Sequence, residues 1–301
     1  MPSLAGLLKP EYLFRPATLF HRIIKTNSQP AAEFFLHELP WGLPIRARSA
    51  EEHGLILNTL GVIDLPVTEV IWRLLDPGDV ALDIGANIGY MTSVMLARGC
   101  QRVYCFEPNP EVFQELSENI KLWRNQSHDI QLIQSAVSMQ SGKVMLSQPP
   151  EFAVNRGLSA VLTFQSSKTS RETRANSVAF SVNAVSLDEM FPSGMEIGLA
   201  KIDVEGHESS VLRGAQSLLV NGKIRDIVFE DHHRYPTESA MLLEAAGYTI
   251  FQIGRSFWGP SIIRAEVATD RSTWLPTSFL ATTDSTRAQD LIGRPGWRSL
   301  Q

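Results

Sequence analysis

Short apolar runs alternate with amphipathic stretches from residue 80 onward. The runs predict buried strands, and the stretches between them carry apolar residues at helical spacing. The predicted strands are Val80–Ile84, Arg102–Phe106, Ile130–Gln134, Gly198–Asp203, Asp226–Phe229, Tyr248–Ile253 and Ser278–Thr282. The predicted helices are Tyr90–Arg98, Pro110–Trp123, Glu208–Asn221 and Thr237–Ala246. This alternation is typical of an α/β fold with a mostly parallel sheet, helices on both faces and a closing antiparallel hairpin.

Two segments flank this domain, which we place at residues 50–285. Residues 1–49 contain apolar clusters and predict an N-terminal helical or irregular cap. We expect the cap to pack on the core, with a lid or a homodimer contact as alternatives. Residues 286–301 are predicted to form a C-terminal tail.

The chain between the third and fourth predicted strands is too long for a simple crossover, which predicts an insertion at about residues 138–196. Within it, Lys143–Ser147 and Val178–Val182 alternate like the strands of an added hairpin. A polar segment at 165–177 separates them. An insertion beside a ligand-binding edge either shapes the substrate side of the site or is a surface excursion.

The composition is that of an ordinary globular protein. Of 301 residues, 44% are hydrophobic and 20% are charged, and the net charge of -5 gives no general attraction to nucleic acid. No apolar run approaches the roughly 18 residues that a membrane span needs. Charged residues recur early in the chain, so we expect no secretion signal and a cytoplasmic location, with Cys100 and Cys105 as reduced thiols.

The first predicted strand ends in a glycine turn, Asp83-Ile84-Gly85-Ala86-Asn87-Ile88-Gly89. A strand that enters such a turn and opens a helix offers a ligand bare backbone and a helix N-terminus. The middle glycine of the dinucleotide pattern is replaced by Asn87. The negative charge of Asp83 would repel a pyrophosphate but suits the sulfonium or ammonium group of S-adenosylmethionine.

The next predicted strand ends in Glu107-Pro108. A carboxylate at the end of the second parallel strand is placed to bind the two hydroxyls of a ribose. Together with the glycine turn, Glu107 predicts a site for an adenosine-containing cofactor.

A second group of polar residues follows the strand at Gly198–Asp203, in the run Lys201-Ile202-Asp203-Val204-Glu205-Gly206-His207-Glu208. The next strand ends similarly, in Glu230-Asp231-His232-His233. Because the carboxyl ends of parallel strands meet at one edge of the sheet, these acids and imidazoles are expected near the cofactor.

The motifs resemble those of the FkbM-type S-adenosylmethionine-dependent methyltransferases. The resemblance covers roughly residues 50 to 255 and is carried by the 83–89 turn, Phe106-Glu107-Pro108, Ser186-Leu187-Asp188 and, most specifically, the string from Lys201 to Ala215. It implies a Rossmann-like class I fold with a seven-stranded sheet and methyl transfer, commonly to oxygen, in small molecules or glycans. It also implies cofactor-binding roles for Asp83, Gly85, Ala86, Asn87, Gly89, Glu107, Pro108, Ser135, Ala136 and Asp203.

Methylation of an alcohol needs a group that removes or acidifies the hydroxyl proton. His207 is the favoured base candidate because the reference pKa of histidine lies near physiological pH and because it follows the strand that carries Asp203, the second catalytic candidate. We expect Glu205, Glu230 and His232 to contact the substrate. A metal ion is not favoured; the alternative is Mg²⁺ held by Asp203 with Glu230 or Asp231.

Two other functions remain open at this point. A nicotinamide-dependent oxidoreductase would use the same glycine turn, although the acid-rich turn at residues 203–208 would then lack a purpose. A non-catalytic binding protein could keep the fold, although Asp83, Gly85 and Glu107 are all present. S-adenosylmethionine binding would distinguish the methyltransferase from both.

Overall fold

The computed structural model describes residues 10–13, 32–123, 129–153, 155, 157, 159–161, 178–191, 195–267 and 277–301. The strands are β1 (Phe34–Glu38), β2 (Pro44–Arg48), β3 (Val80–Ile84), β4 (Arg102–Phe106), β5 (Asp129–Ile133), β6 (Ala136–Val137), β7 (Gly142–Gln148), β8 (Ala160–Val161), β9 (Val178–Val185), β10 (Ile197–Ile202), β11 (Ile224–Glu230), β12 (Thr249–Ser256), β13 (Gly259–Arg264) and β14 (Ser278–Thr282). The helices are α1 (Pro10–Leu13), α2 (Glu52–Leu60), α3 (Leu65–Leu74), α4 (Tyr90–Ala97), α5 (Pro110–Trp123), α6 (Leu187–Met190), α7 (Glu208–Arg213), α8 (Gln216–Val220), α9 (Glu238–Ala245) and α10 (Ser285–Gly293).

The main sheet has the strand order β5-β4-β3-β10-β11-β14-β12-β13. The five strands from β5 to β11 are parallel, whereas β14 is antiparallel to both of its neighbours. Chain order along this sheet reverses between β3 and β10, which opens a crevice at the carboxyl ends of the strands. The predicted α/β fold with its antiparallel C-terminal hairpin is confirmed, and β13 adds an eighth strand at the edge.

Side chains of the central strands alternate between two hydrophobic cores. On β3, Ala81 faces one core and Leu82 and Ile84 face the other. Helices α3, α4, α5 and α10 cover the first core, and α7, α8 and α9 cover the second. A strand buried on both faces reads as a continuous apolar run, which is why the sequence pattern located these strands.

The single helix predicted at Glu208–Asn221 is wrong, because two short helices, α7 and α8, replace it. A side-chain β-carbon at Gly214 would lie 2.1 Å from the carbonyl oxygen of Ser138. The carbonyl of Gly214 accepts hydrogen bonds from the backbone N–H of Asp188 and the hydroxyl of Ser186. The helix is therefore interrupted where its backbone contacts the insertion.

Residues 34–48 form a β-hairpin, whereas the sequence predicted a helical or irregular segment there. In β2 the buried side chains alternate, with Ile45 and Ala47 fully buried, so strand periodicity rather than helical periodicity governs this segment. The side chain of Asn119 bonds to both the N–H and the carbonyl of Arg46, which fixes the hairpin on α5. Most of the preceding segment, including residues 14–31, lies outside the described residues.

The insertion contains a separate sheet with the order β6-β9-β7-β8. The antiparallel pairing of β7 with β9 confirms the predicted pair of strands. The polar segment predicted at 165–177 lies outside the described residues. This small sheet meets the carboxyl edge of the main sheet, where Leu146 and Val161 contact the cavity described below.

Residues 285–300 are part of the folded domain rather than a loose tail. The guanidinium of Arg73 bonds to Glu69 at 2.6 Å and donates to backbone carbonyls of Leu291, Ile292, Arg294 and Gly296. The Glu69 carboxylate also accepts hydrogen bonds from the N–H groups of Arg298 and Ser299. Both charged side chains are fully buried. We call this arrangement of Glu69, Arg73 and residues 291–299 the C-terminal clamp.

Among the described helices, no single one is long and apolar enough to cross a membrane. The helices α2 and α3 meet at an angle of 80°, and taken together they have the length and composition of a membrane span, which is the only feature of a span that they show. Nearly every residue of α3 is buried inside the protein.

Candidate active site

A cavity of about 620 Å³ lies at the carboxyl edge of β3, β4, β10 and β11. Helices α2 and α3 close one side of it, and the insertion closes another. This is the crevice where open α/β sheets bind their ligands. Most of the residues that the sequence assigned to the cofactor and to the substrate line this cavity.

The glycine turn is held against the next strand and against β10. The N–H groups of Gly85 and Ala86 both donate to the carbonyl of Phe106. A β-carbon at Gly85 would lie 1.8 Å from the carbonyl oxygen of Asp203, and the backbone φ of Gly85 is +80°. Only glycine satisfies both constraints, so the turn brings bare backbone to the cavity.

Glu107 lies beside this turn at the end of β4 and lines the cavity. Its carboxylate accepts hydrogen bonds from the N–H of Asn87 at 3.0 Å and the N–H of Asn109 at 2.9 Å. Burial raises the pKa of Glu107 to about 7, despite these hydrogen bonds. The remaining lone pairs of its two oxygens leave it able to accept from ribose hydroxyls.

Asp83 and Gly89 do not line the cavity, unlike Gly85, Ala86, Asn87, Pro108, Ser135 and Ala136. Asp83 is fully buried, and its Oδ2 accepts a hydrogen bond from the Thr92 hydroxyl at 2.6 Å. Its Oδ1 has no hydrogen-bond partner among the described residues, and burial raises its pKa. Asp83 is paired with Lys201 in the register of β3 with β10, so it contacts the polar end of β10 from inside the core.

The end of β10 brings a buried cation and two acids to the cavity. Lys201 Nζ lies 2.8 Å from Asp203 Oδ2. Burial alone would lower the pKa of Lys201, but Asp203 and Asp83 outweigh it and raise the pKa. Burial likewise opposes ionisation of Asp203, yet Lys201 lowers its pKa. At neutral pH this is an ion pair.

A sharp turn follows Asp203 and directs Glu205 into the cavity. Glu205 has a φ of +52° and Gly206 a φ of +90°. The carboxylate of Glu208 accepts a hydrogen bond from the N–H of Gly206 at 3.1 Å, which holds the turn. Burial, followed by repulsion from Asp203, raises the pKa of Glu205 to about 7.

His207 lies at the bottom of this turn and is only 4% exposed. Its Nε2 is 2.9 Å from the Ser138 hydroxyl, and its Nδ1 is buried with no partner among the described residues. Burial lowers its pKa to about 4. The imidazole is neutral and lines the cavity, and only its Nε2 has a described hydrogen-bond partner, so the base role of His207 stays a prediction.

The residues at the end of β11 separate into two groups. Glu230 and His232 line the cavity, with His232 Nε2 3.8 Å from Glu230 and 3.9 Å from Glu205. Asp231 instead accepts hydrogen bonds from the N–H and Nδ1 of His233, away from the cavity. Of the acids proposed for Mg²⁺, Asp203 and Glu230 thus share the cavity and Asp231 does not. The described part of the chain holds no group of three His, Cys, Asp or Glu suited to a metal ion.

The cavity residues of α2 and α3 were not predicted from the sequence. Glu52 and His53 on α2, and Asp64 before α3, face the acids of β10 and β11. Asp64 followed by Leu65 and Pro66 is a recognisable helix start, but that signal says nothing about a site. Their role becomes visible only when the helices are packed on the sheet.

Backbone strain in the described residues is concentrated at this cavity. Non-glycine residues with a left-handed backbone are Asp64, Asn87 and Glu205, and all three line it. Such conformations cost free energy and persist mainly where function requires a side chain to be aimed. Sheet order, glycine turn and the position of the cavity are those of the class I methyltransferase fold.

The family follows from a direct comparison. The model of the Methyltransferase FkbM domain matches residues 83–250, more than half of the chain. This protein therefore belongs to the FkbM family of S-adenosylmethionine-dependent methyltransferases, as its motifs predicted.

One relative and two solved structures are also similar to this chain. The hexuronic acid methyltransferase AglP of Haloferax volcanii is 28% identical over 187 residues, which cover 62% of this chain and 68% of the relative. The structure of methyltransferase FkbM from Methylobacillus flagellatus has a TM-score of 0.43 and 15% identity, covering 69% of this chain and 44% of its own. This chain thus spans less than half of that protein. An S-adenosylmethionine-dependent methyltransferase from Agrobacterium tumefaciens has a TM-score of 0.46 and 10% identity, covering 86% of this chain and 72% of its own.

Proposed function

We propose that this protein transfers a methyl group from S-adenosylmethionine to a hydroxyl oxygen of a sugar or a similar small molecule. When bound, the cofactor supplies a methyl group activated by its sulfonium. What the protein must supply is the alignment of the acceptor oxygen and a destination for its proton.

The cofactor end of the cavity is the part around Gly85, Asn87 and Glu107. The turn from Gly85 to Asn87 lines this end of the cavity, and Glu107 has the acceptor atoms that ribose hydroxyls need. Ser135 and Ala136 continue this wall towards the insertion and suit the adenine. The residues present fit the cofactor that the family uses.

The proposal of a sugar acceptor rests on the other end of the cavity, which we call the acceptor end. Asp64, Asp203, Glu205, Glu230 and His232 reach it from three separate parts of the chain. Carboxylates and imidazoles accept hydrogen bonds from hydroxyl groups, and several of them around one cavity match a ligand with several hydroxyls. A sugar ring has this chemistry.

The similarity to the hexuronic acid methyltransferase AglP supports a sugar as the acceptor class. A hexuronic acid offers two kinds of oxygen, a hydroxyl and a carboxylate. Methylation of the first gives an ether, and methylation of the second gives an ester. We propose the hydroxyl, because the described acceptor end holds mostly carboxylates, which repel a carboxylate acceptor.

The test begins with calorimetric titration of the purified protein with S-adenosylmethionine, S-adenosylhomocysteine and NADH, with and without Mg²⁺. Tritium transfer from labelled S-adenosylmethionine is then measured with methyl β-D-glucopyranoside, D-glucuronate and D-galacturonate. Alkali releases tritium from an ester but not from an ether. Binding of NADH alone would overturn the proposal, as would a product that alkali cleaves.

Glu107 gives a pH-dependent prediction for cofactor affinity. Ribose hydroxyls bond best to an ionised carboxylate, and the pKa of Glu107 is about 7 in the ligand-free protein. The affinity for S-adenosylhomocysteine should therefore fall roughly tenfold as the pH is lowered from about 8 to about 6. Calorimetry across this pH range measures the change.

The matched variants for this prediction are Glu107→Gln and Glu118→Gln. Glu107→Gln should bind S-adenosylhomocysteine weakly at every pH, and its affinity should no longer change with pH between about 6 and about 8. Glu118 lies on the exposed face of α5, so its variant should behave as the unaltered protein does. An unchanged pH dependence in Glu107→Gln would contradict the ribose-binding role.

A further inference from the structure

Asp64 faces the acceptor end of the cavity from the start of α3. It lies outside residues 83–250, so the family match gives it no role. Its φ of +37° is one of the strained backbone angles around the cavity. A residue held in this conformation beside a ligand site is a candidate for function.

The backbone around Asp64 is held in place from several directions. The N–H of Ile63 donates to the Tyr90 hydroxyl at 3.0 Å, and the Thr68 hydroxyl donates to the carbonyl of Ile63 at 2.8 Å. Helix α3 is buried in the core, and the C-terminal clamp holds its far end. A catalytic group requires this kind of fixed support.

The carboxylate of Asp64 has capacity for a ligand. Its Oδ1 accepts one long hydrogen bond, 3.4 Å from the N–H of Val67, and no described residue donates to its Oδ2. The side chain is open to the cavity although protein surrounds it. A molecule in the cavity can therefore reach this oxygen.

The charged groups that face Asp64 act in opposite directions on its pKa. Glu230 on β11 and Asp203 on β10 raise it, Lys201 on β10 lowers it, and the neutral hydroxyl of Tyr90 on α4 lies nearby. Burial is the main cause that raises the pKa of Asp64 to about 6, and Glu230 and Asp203 add to it. At pH 7 to 8 the group is mostly ionised yet more basic than an ordinary aspartate, as a general base should be.

Asp64 differs from the other candidates at the cavity in how it is held. His207 is bonded to Ser138 through Nε2, Lys201 is paired with Asp203, and Glu107 accepts two backbone N–H groups. Glu230 accepts a hydrogen bond from the Thr277 hydroxyl at 2.6 Å, and burial lowers the pKa of His53, which weakens it as a base. Asp64 combines a carboxylate oxygen that no described residue bonds with a backbone fixed at the start of the buried helix α3.

We infer that Asp64 is the general base that takes the proton from the acceptor hydroxyl, an inference that rests on the proposed O-methylation. As the O–H bond breaks, the proton passes to the Asp64 carboxylate. The oxygen uses the freed electron pair to bond to the methyl carbon, and the carbon–sulfur bond breaks with its electron pair left on sulfur. The proton then leaves Asp64 for the solvent.

The first test compares Asp64→Asn with Asp284→Asn. Both aspartates are N-caps, of α3 and α10, but Asp284 lies away from the cavity. Asparagine caps helices as well as aspartate does, so both variants should fold. With the best acceptor of the panel, Asp64→Asn should lower kcat by about 100-fold or more, whereas Asp284→Asn should leave it unchanged.

Three further measurements distinguish a catalytic role of Asp64 from a structural one. Affinity for S-adenosylhomocysteine and the melting temperature should stay unchanged in Asp64→Asn. Asp64→Glu should recover part of kcat. In the unaltered protein kcat should fall as the pH drops below about 6, because the base becomes protonated. Turnover by Asp64→Asn at the normal rate, or a methyl ester product, would overturn the inference.

If none of the sugars in the panel is methylated, a measurement without an acceptor still tests the base role of Asp64. Carbon-13 NMR of protein labelled at the aspartate carboxyl, with S-adenosylhomocysteine bound, should show one resonance that titrates near pH 6 and is missing from Asp64→Asn. Titration of that resonance near pH 4 would overturn the inference. Failure of S-adenosylhomocysteine to bind would instead contradict the proposed function itself.

Discussion

Replacing Glu69 with alanine should lower the free energy of unfolding by about 3 to 5 kcal/mol. The change leaves the Arg73 guanidinium buried without its counter-charge, and both side chains are 0% exposed. It also removes the acceptor for the N–H groups of Arg298 and Ser299. Urea denaturation followed by circular dichroism measures the loss.

The control is Asp290→Ala. Asp290 and Arg294 form a pair with the same i,i+4 spacing, but both side chains are about half exposed. An exposed pair is worth about 0 to 1 kcal/mol, so this variant should be almost as stable as the unaltered protein. Equal losses in Glu69→Ala and Asp290→Ala would show that the C-terminal clamp contributes little.

Replacing Gly85 with alanine should abolish cofactor binding and destabilise the fold by about 2 to 4 kcal/mol. The new β-carbon would lie 1.8 Å from the Asp203 carbonyl oxygen, which is part of a rigid backbone. The ends of strands β3 and β10 must move apart to relieve this steric clash. Their separation displaces both Asn87 and the acid-rich turn at residues 203–208. Calorimetry with S-adenosylhomocysteine and thermal unfolding measure the two effects.

The Gly42→Ala variant measures the effect of the backbone conformation alone, without a steric clash. Gly42 has a φ of +81°, nearly that of Gly85, but no atom lies within 4 Å of the position its β-carbon would take. This variant should cost only the conformational penalty of about 1 kcal/mol and should bind the cofactor normally. Gly85→Ala with an intact affinity would show that the turn is not the cofactor site.

The sequence located the strands and the glycine turn because both obey local rules. The ends of β3, β4, β14 and α5 were predicted to the residue, since apolar runs on a doubly covered sheet are bounded by polar or glycine positions. The convergence of polar groups at one sheet edge likewise follows from parallel topology. These features require no knowledge of distant contacts.

The remaining features depend on contacts between distant parts of the chain. The break at Gly214 follows from its approach to Ser138, 76 residues away by number, and no helix propensity reports it. Asp83 looked like a ligand-binding residue in the motif, but strand alternation points it away from the cavity. Asp64 was overlooked because its helix meets the sheet only in the folded molecule.

One consequence of the strand order concerns synthesis of the protein. β14 lies between β11 and β12, so both strands lack a neighbour until residue 282 has been made. The clamp residues 291–299, which hold the helix that carries Asp64, are translated later still. A nascent chain on the ribosome therefore exposes two open strand edges that can pair with other polypeptides. We expect a chaperone or the ribosome surface to shield them until β14 is in place.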